Sequence, residues 1–167
     1  LNDGTSFDAY VEYTHTDNSK GIIGIEVKYT EKEYKLTKGS KQENDIKDKT
    51  SKYYTVTEHC GLFKPNSIEF LPTDKFRQVW RNHILGESIL LVDSDKFKHF
   101  TSLTIFPKEN KHFIQTSKDY IDLLVENNNK FIPLTYEDFF VACDKHCVGN
   151  DYENWLNYLT KRYIVTD

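Results

Sequence analysis

Phe7-Asp8-Ala9-Tyr10-Val11-Glu12-Tyr13 and, beyond a polar turn, Ile22-Ile23-Gly24-Ile25-Glu26-Val27-Lys28-Tyr29 decide how this chain folds. Both stretches read as short strands. Successive side chains of a strand point to opposite faces, so Glu26 and Lys28 share one face while Ile23, Ile25, Val27 and Tyr29 fill the other. Thr16-Asp17-Asn18-Ser19-Lys20-Gly21 between them is a turn composition, which predicts an antiparallel hairpin. With His15 opposite Lys20 or Gly21, Asp8 falls opposite Val27 or Lys28, and a slip of one residue decides which face its carboxylate takes. Asp8 then lies close to Glu26 and Lys28. Glu12, on the same strand face as Asp8, extends the acidic cluster as a supporting residue.

Carboxylates that converge beside a lysine repel one another unless positive charge sits between them. A divalent cation resolves that conflict. Mg²⁺ takes hard oxygen ligands, typically one or two carboxylates with waters and phosphate oxygens, so Asp8 and Glu26 suit it. The Val27 carbonyl offers a third oxygen. Lys28 is then placed to hold water or to offset charge building on a phosphate. The competing reading of Asp, Glu and Lys on one strand face is a solvated edge or a cross-strand ion pair. Spacing alone does not separate the two, because Glu-x-Lys is a short and common pattern.

The wider sequence resembles the PD-(D/E)XK nuclease superfamily, and within it a group of restriction-endonuclease-like proteins. The stretches that carry the resemblance are Phe7 to Tyr13, Gly24-Ile25-Glu26-Val27-Lys28-Tyr29-Thr30-Glu31, Gln78-Val79-Trp80-Arg81-Asn82-His83 and Arg162-Tyr163, in that order along nearly the whole chain. It implies that Asp8 fills the first acidic position, Glu26 the second and Lys28 the lysine, and that Gln78 matches a helical glutamine found in one branch. It further implies Mg²⁺ or Mn²⁺ as cofactor, held by Asp8, Glu26 and the Val27 carbonyl, and DNA as substrate. Phe7 stands where the superfamily's name has Pro. The fold implied is α/β, a restriction-endonuclease-like core with a central mixed sheet flanked by helices. Its first helix and strand are expected to lie ahead of Leu1, since the chain opens without Met and runs straight into the Asp8 strand.

Further along, Asn44 to Glu58 reads as a helix that ends near Gly61. Thr73 is a candidate N-cap for the clearest helix, with Asp74 in its first turn. On that helix Phe76, Trp80 and Ile84 mark one face and Gln78, Arg81, Asn82 and Leu85 another. Gln78 and Arg81 lie one turn apart, so both are candidates to face the site, Arg81 as a phosphate contact. His83 lies on the Phe76 and Trp80 side and is expected to be buried with a hydrogen-bond partner. Phe100 to Phe106 alternates as a strand, Ser117 to Glu126 reads as a helix, and Phe131 to Leu134 as a short strand. Thr135 to His146 and Asp151 to Tyr163 are expected as helices. No repeat or linker divides the chain, which reads as a single domain over 1–167 with an insertion at about 30–72.

Composition sets the remaining bounds. The chain has 167 residues and a formal net charge of −4, which argues against a surface that clings everywhere to nucleic acid but does not exclude a local site. From Lys28 to Lys52 lysines alternate with acidic residues and with Tyr29, Tyr34, Tyr53 and Tyr54. This segment is either a phosphate-tracking, base-stacking insertion or a solvated excursion. Three cysteines do not make a disulfide framework and suggest the cytoplasm. Cys143 and Cys147 lie one helical turn apart and are read as packing residues. The six histidines show no metal-binding spacing in sequence. No apolar run approaches a membrane span. The reading is therefore a metal-dependent nuclease of DNA. Its alternative is a nucleic-acid- or protein-binding module that keeps the fold without cutting. The oligomeric state stays open, a homodimer included.

Overall fold

The strand Lys20–Val27 (β2) occupies the middle of the molecule, and the rest of the sheet is built outward from it. A computed structural model describes residues 1, 4–30, 36–126 and 129–164. Ala9–Thr14 (β1) pairs with β2 antiparallel, Phe97–Phe106 (β3) pairs with its other edge in parallel, and Phe131–Thr135 (β4) pairs in parallel with β3. The order is β1-β2-β3-β4, a mixed sheet in which β1 is paired on one side only among the described residues. The helices are Lys41–Lys47 (α1), Lys52–His59 (α2), Arg77–Val92 (α3), Lys111–Ile121 (α4), Tyr136–His146 (α5) and Asn150–Tyr163 (α6). No helix among the described residues is long and apolar enough to cross a membrane.

The sheet separates two apolar layers. On one face Trp80 and Ile84 of α3 pack with Tyr53, Tyr54 and Val56 of α2, Phe113 and Tyr120 of α4, and Phe106 and Phe131 from the strands. On the other, Ile105 with Ile25 and Leu103 meets Tyr136, Phe140 and Cys143 of α5 and Leu156 of α6. Parallel strands buried on both faces require apolar residues in both registers, and β3 shows this with Leu103, Ile105 and Phe106 close together. Two glycines set close approaches. A Cβ on Gly86 of α3 would come within 2.0 Å of the Phe100 ring, and one on Gly24 within 2.5 Å of the Phe7 ring. These residues let α3 lie against β3 and let Phe7 fold over β2 just ahead of Asp8.

Several expectations need correction. The hairpin register is Thr14 opposite Lys20 and Ala9 opposite Ile25, one residue short of the closer alternative above. The ladder ends at that pair, and Asp8 lies just beyond it. The cause of the register is the turn: Asn18 adopts a left-handed φ of 66°, and His15 N donates to Ser19 O at 2.8 Å. The helix expected from Asn44 to Glu58 is two helices, because Asp48 Oδ1 accepts from both N and Oγ1 of Thr50, making a turn that ends α1. Thr73 does not cap α3: its hydroxyl donates to Phe70 O, and the regular helix begins at Arg77. α4 starts earlier than read, at Lys111, where Asn110 Oδ1 accepts from Phe113 N.

Tyr53 and Tyr54 pack at steep angles against Trp80 inside the core at 1% and 2% exposure, so neither is a surface for bases. Tyr34 lies outside the described residues. Cys143 packs as expected, whereas Cys147 is exposed.

Candidate active site

The face of β2 turned toward α3 carries Ile22, Gly24 and Glu26, and Lys28 follows in the same alternation. Glu26 is 9% exposed and Lys28 5%. Their pairing follows from that shared burial: Lys28 Nζ donates to Glu26 Oε1 at 2.8 Å. Lys28 is fixed at its backbone as well, its N donating to Ile105 O at 2.8 Å and its carbonyl accepting from the Tyr136 hydroxyl at 3.4 Å. In the parallel ladder Glu26 lies beside the buried Thr104.

α3 crosses this face and supplies the other donors. Gln78 Nε2 donates to Glu26 Oε1 at 2.8 Å, and Asn82 Nδ2 donates to Glu26 Oε2 at 2.7 Å. Gln78 and Asn82 are four apart and therefore project from one helix face, while Trp80 and Ile84 point into the core. One carboxylate thus receives a lysine and two amides, with both oxygens engaged. A buried ion is tolerated only with such partners, since an unpaired charge in the interior costs several kcal/mol.

Asp8 sits at the bend immediately ahead of β1 and is exposed. Its N donates to Ile25 O at 3.0 Å, and its Oδ2 accepts from Val27 N at 2.8 Å. These two bonds bracket Glu26, so Asp8 is anchored at the residues on either side of it. Asp8, Glu26, Val27, Lys28 and Gln78 consequently occupy one neighbourhood at the end of β2. Arg81 stands apart from the Glu26 bonds: 6% exposed, it donates from Nε to the Tyr53 hydroxyl at 2.8 Å and from Nη2 to Thr5 Oγ1 at 2.5 Å. Helical rotation over three residues carries its side chain toward α2 rather than outward. Glu12 is also elsewhere, four residues along β1 toward the hairpin tip, and is paired with Lys96 at 3.7 Å.

Asn82 is the residue that the sequence reading placed on the Gln78 face without giving it a role. The signal was present in Gln-x-Trp-Arg-Asn, where the spacing of four that makes Gln78 and Asn82 neighbours is visible in the sequence. His83, by contrast, is fully buried with Nδ1 3.1 Å from the Tyr120 hydroxyl, as anticipated. Burial, with Lys130 adding to it, pushes its pKa down to about 3 and keeps the ring neutral.

The donor set at the end of β2 fits a hard divalent cation. It offers the Asp8 and Glu26 carboxylates and nearby backbone carbonyls, with Lys28 paired to Glu26.

A sequence profile of the PD-(D/E)XK nuclease superfamily matches residues 1–165, and the chain belongs to that superfamily. The mixed four-stranded sheet flanked by helices agrees with its restriction-endonuclease-like fold. No curated protein and no solved structure matches the chain.

Proposed function

We propose that this member of the PD-(D/E)XK nuclease superfamily hydrolyses phosphodiester bonds in DNA, with Asp8, Glu26 and the Val27 carbonyl holding Mg²⁺ or Mn²⁺. The observation that carries the reading is the gathering of Lys28, Gln78 and Asn82 on the Glu26 carboxylate, with the Asp8 carboxylate on the adjoining Val27 amide. A cation bound there would supply charge neutralisation and a more acidic water. The side chains do the rest. Lys28 offsets negative charge as it builds on the phosphate, and its fixed backbone keeps that charge in place. Gln78 and Asn82 hold Glu26 in one orientation, so no reorganisation is needed when substrate arrives. Arg81 braces the site by tying Thr5, close ahead of Asp8, to Tyr53; a direct contact with phosphate requires those bonds to open.

DNA would approach at the C-terminal ends of β2 and β3. A cavity of about 530 Å³ opens there, lined by Tyr29, Asn110, Lys111, His112 and Tyr163 among others. It offers two aromatic rings and a lysine, the combination that suits bases and backbone. Within the insertion, α2 serves in this reading as a structural cover for α3. Three free cysteines suit a reducing compartment, and we place the protein in the cytoplasm.

A specific observation favours a second reading, in which the chain binds nucleic acid without cutting: both oxygens of Glu26 already hold protein donors. The deciding assay is cleavage of single-stranded, duplex and branched DNA with Mg²⁺ or Mn²⁺ by wild type, Asp8→Asn, Glu26→Gln and Lys28→Ala. The proposal expects cleavage by wild type, abolished by chelation and lost in each variant. DNA binding by wild type without cleavage supports the binding module instead. Equal cleavage by all four proteins points to another site or a contaminant.

A further inference from the structure

At the other end of the hairpin a second group of ligating side chains comes together. His15 follows β1, Asp17 and Ser19 lie in the turn, and His99 stands on β3 opposite Gly21. The ligand atoms of His15, Asp17 and His99 all lie within 4.8 Å of one another. His15 Nδ1 is 3.3 Å from Asp17 Oδ1. The Ser19 hydroxyl joins Asp17 Oδ1 at 2.5 Å to His99 Nε2 at 2.8 Å, and the two imidazoles stack with centroids 4.5 Å apart. Two parts of the chain far apart in sequence, the hairpin turn and β3, thus bring two imidazoles and a carboxylate to one small volume. Gly21 lies five residues before Glu26, which is roughly 17 Å along the strand, and alternation puts it on the opposite face. The group is therefore separate from the candidate active site.

We propose that His15, Asp17 and His99 form a binding site for a divalent transition cation of the zinc class. Two nitrogens and one carboxylate oxygen are the ligand types that such an ion takes, whereas Mg²⁺ prefers an all-oxygen set. Without the ion, the Ser19 hydroxyl bridges two of the ligands and keeps them facing one another. With it, a small rotation of the rings closes the ligand atoms to the tetrahedral spacing of about 3.3 Å that bonds of about 2.0–2.1 Å require. Ser19 or water then completes the shell. Asp17 is oriented for the role by hydrogen bonds that its Oδ1 accepts from the Ser19 hydroxyl and amide. The ion would tie the hairpin tip to β3 across β2 and hold the register that sets Thr14 opposite Lys20.

The test is calorimetric titration of Zn²⁺ into the metal-free full chain at neutral pH, with thermal unfolding measured alongside. The expected result is one equivalent bound by wild type with a raised Tm. Binding should weaken at least about tenfold in both His15→Ala and His99→Ala, as loss of one of three protein ligands requires. Mg²⁺ in place of Zn²⁺ should give no heat that depends on His15. His15 is exposed, so its variant folds even where His99→Ala does not. Zinc binding that survives His15→Ala, as capture by Cys143 and Cys147 would, overturns the proposal. So does the absence of zinc binding by wild type. None of these outcomes bears on DNA cleavage, so this site and the nuclease reading stand or fall separately.

Discussion

Replacing Glu26 with Ala removes the acceptor of three donors at once, two of them buried, and the loss can be sized from the structure. Lys28 is 5% exposed and Asn82 6%, so neither can turn to water without local opening. Breaking a buried ion pair from one side costs about 3–5 kcal/mol, most of it the penalty of leaving the other charge buried alone. Since the domain as a whole is worth about 5–15 kcal/mol, this is a large share of its stability. For a chain of this size 1 kcal/mol moves Tm by about 2–4 °C, so Glu26→Ala should melt roughly 6–20 °C below wild type. Adding Lys28→Met removes the stranded ammonium and fills its volume, and the double variant should recover about 2 kcal/mol of the loss. Urea unfolding of wild type, both single variants and the double variant completes the cycle. A loss below about 1 kcal/mol in Glu26→Ala, or effects that add within about 0.5 kcal/mol, would refute the buried pairing.

Three further outcomes follow from the same contacts. Asn82→Ala should lower Mn²⁺ affinity about 10–100-fold, the usual effect of losing a group that orients a ligand, as read by titration; no change would place Asn82 outside the site. His83 has a folded pKa of about 3 against an ordinary 6.5, so below about pH 6.5 the unfolded chain takes up a proton that the folded chain refuses. Stability should therefore fall as the pH drops from about 6.5 toward 3, by up to about 1.4 kcal/mol per unit, and urea midpoints of His83→Gln should lack that slope. Gly86→Ala should destabilise by about 1–3 kcal/mol because its Cβ meets the Phe100 ring, and a stable variant would mean that α3 does not lie where the ring demands.

The sheet was legible where the pattern is local. Alternation in Phe7–Tyr13 and Ile22–Tyr29 is a property of the residues themselves, and β1 and β2 appear there. The register was not, because it depends on the turn, and the left-handed Asn18 is one of several conformations that Thr16 to Gly21 permits. The division of Asn44–Glu58 into α1 and α2 was hidden for a related reason. Its apolar spacing runs on through Asp48, and the break comes from a side chain competing with the helix for backbone donors. Tyr53 and Tyr54 misled because a tyrosine beside lysines is equally compatible with a surface and with a core. Their burial is decided by Trp80, far away in sequence.

At the candidate site the sequence presents Asp8 and Glu26 as equals, and the fold divides them. Glu26 lies beneath α3 with a lysine and two amides upon it, whereas Asp8 stands in solvent on a single side-chain bond to Val27 N. Period two explains why Glu26 and Lys28 share a face, but the angle at which α3 crosses that face decides which of its residues arrive there. That angle is set by Gly86 against Phe100 and by the Trp80 cluster, none of which is local to the motif. The division also governs how variants must be interpreted. Loss of cleavage in Asp8→Asn can be assigned to chemistry, because an exposed carboxylate supports little of the fold. The same loss in Glu26→Ala can arise from unfolding alone, which makes Glu26→Gln, with its shape preserved, the variant whose activity carries information.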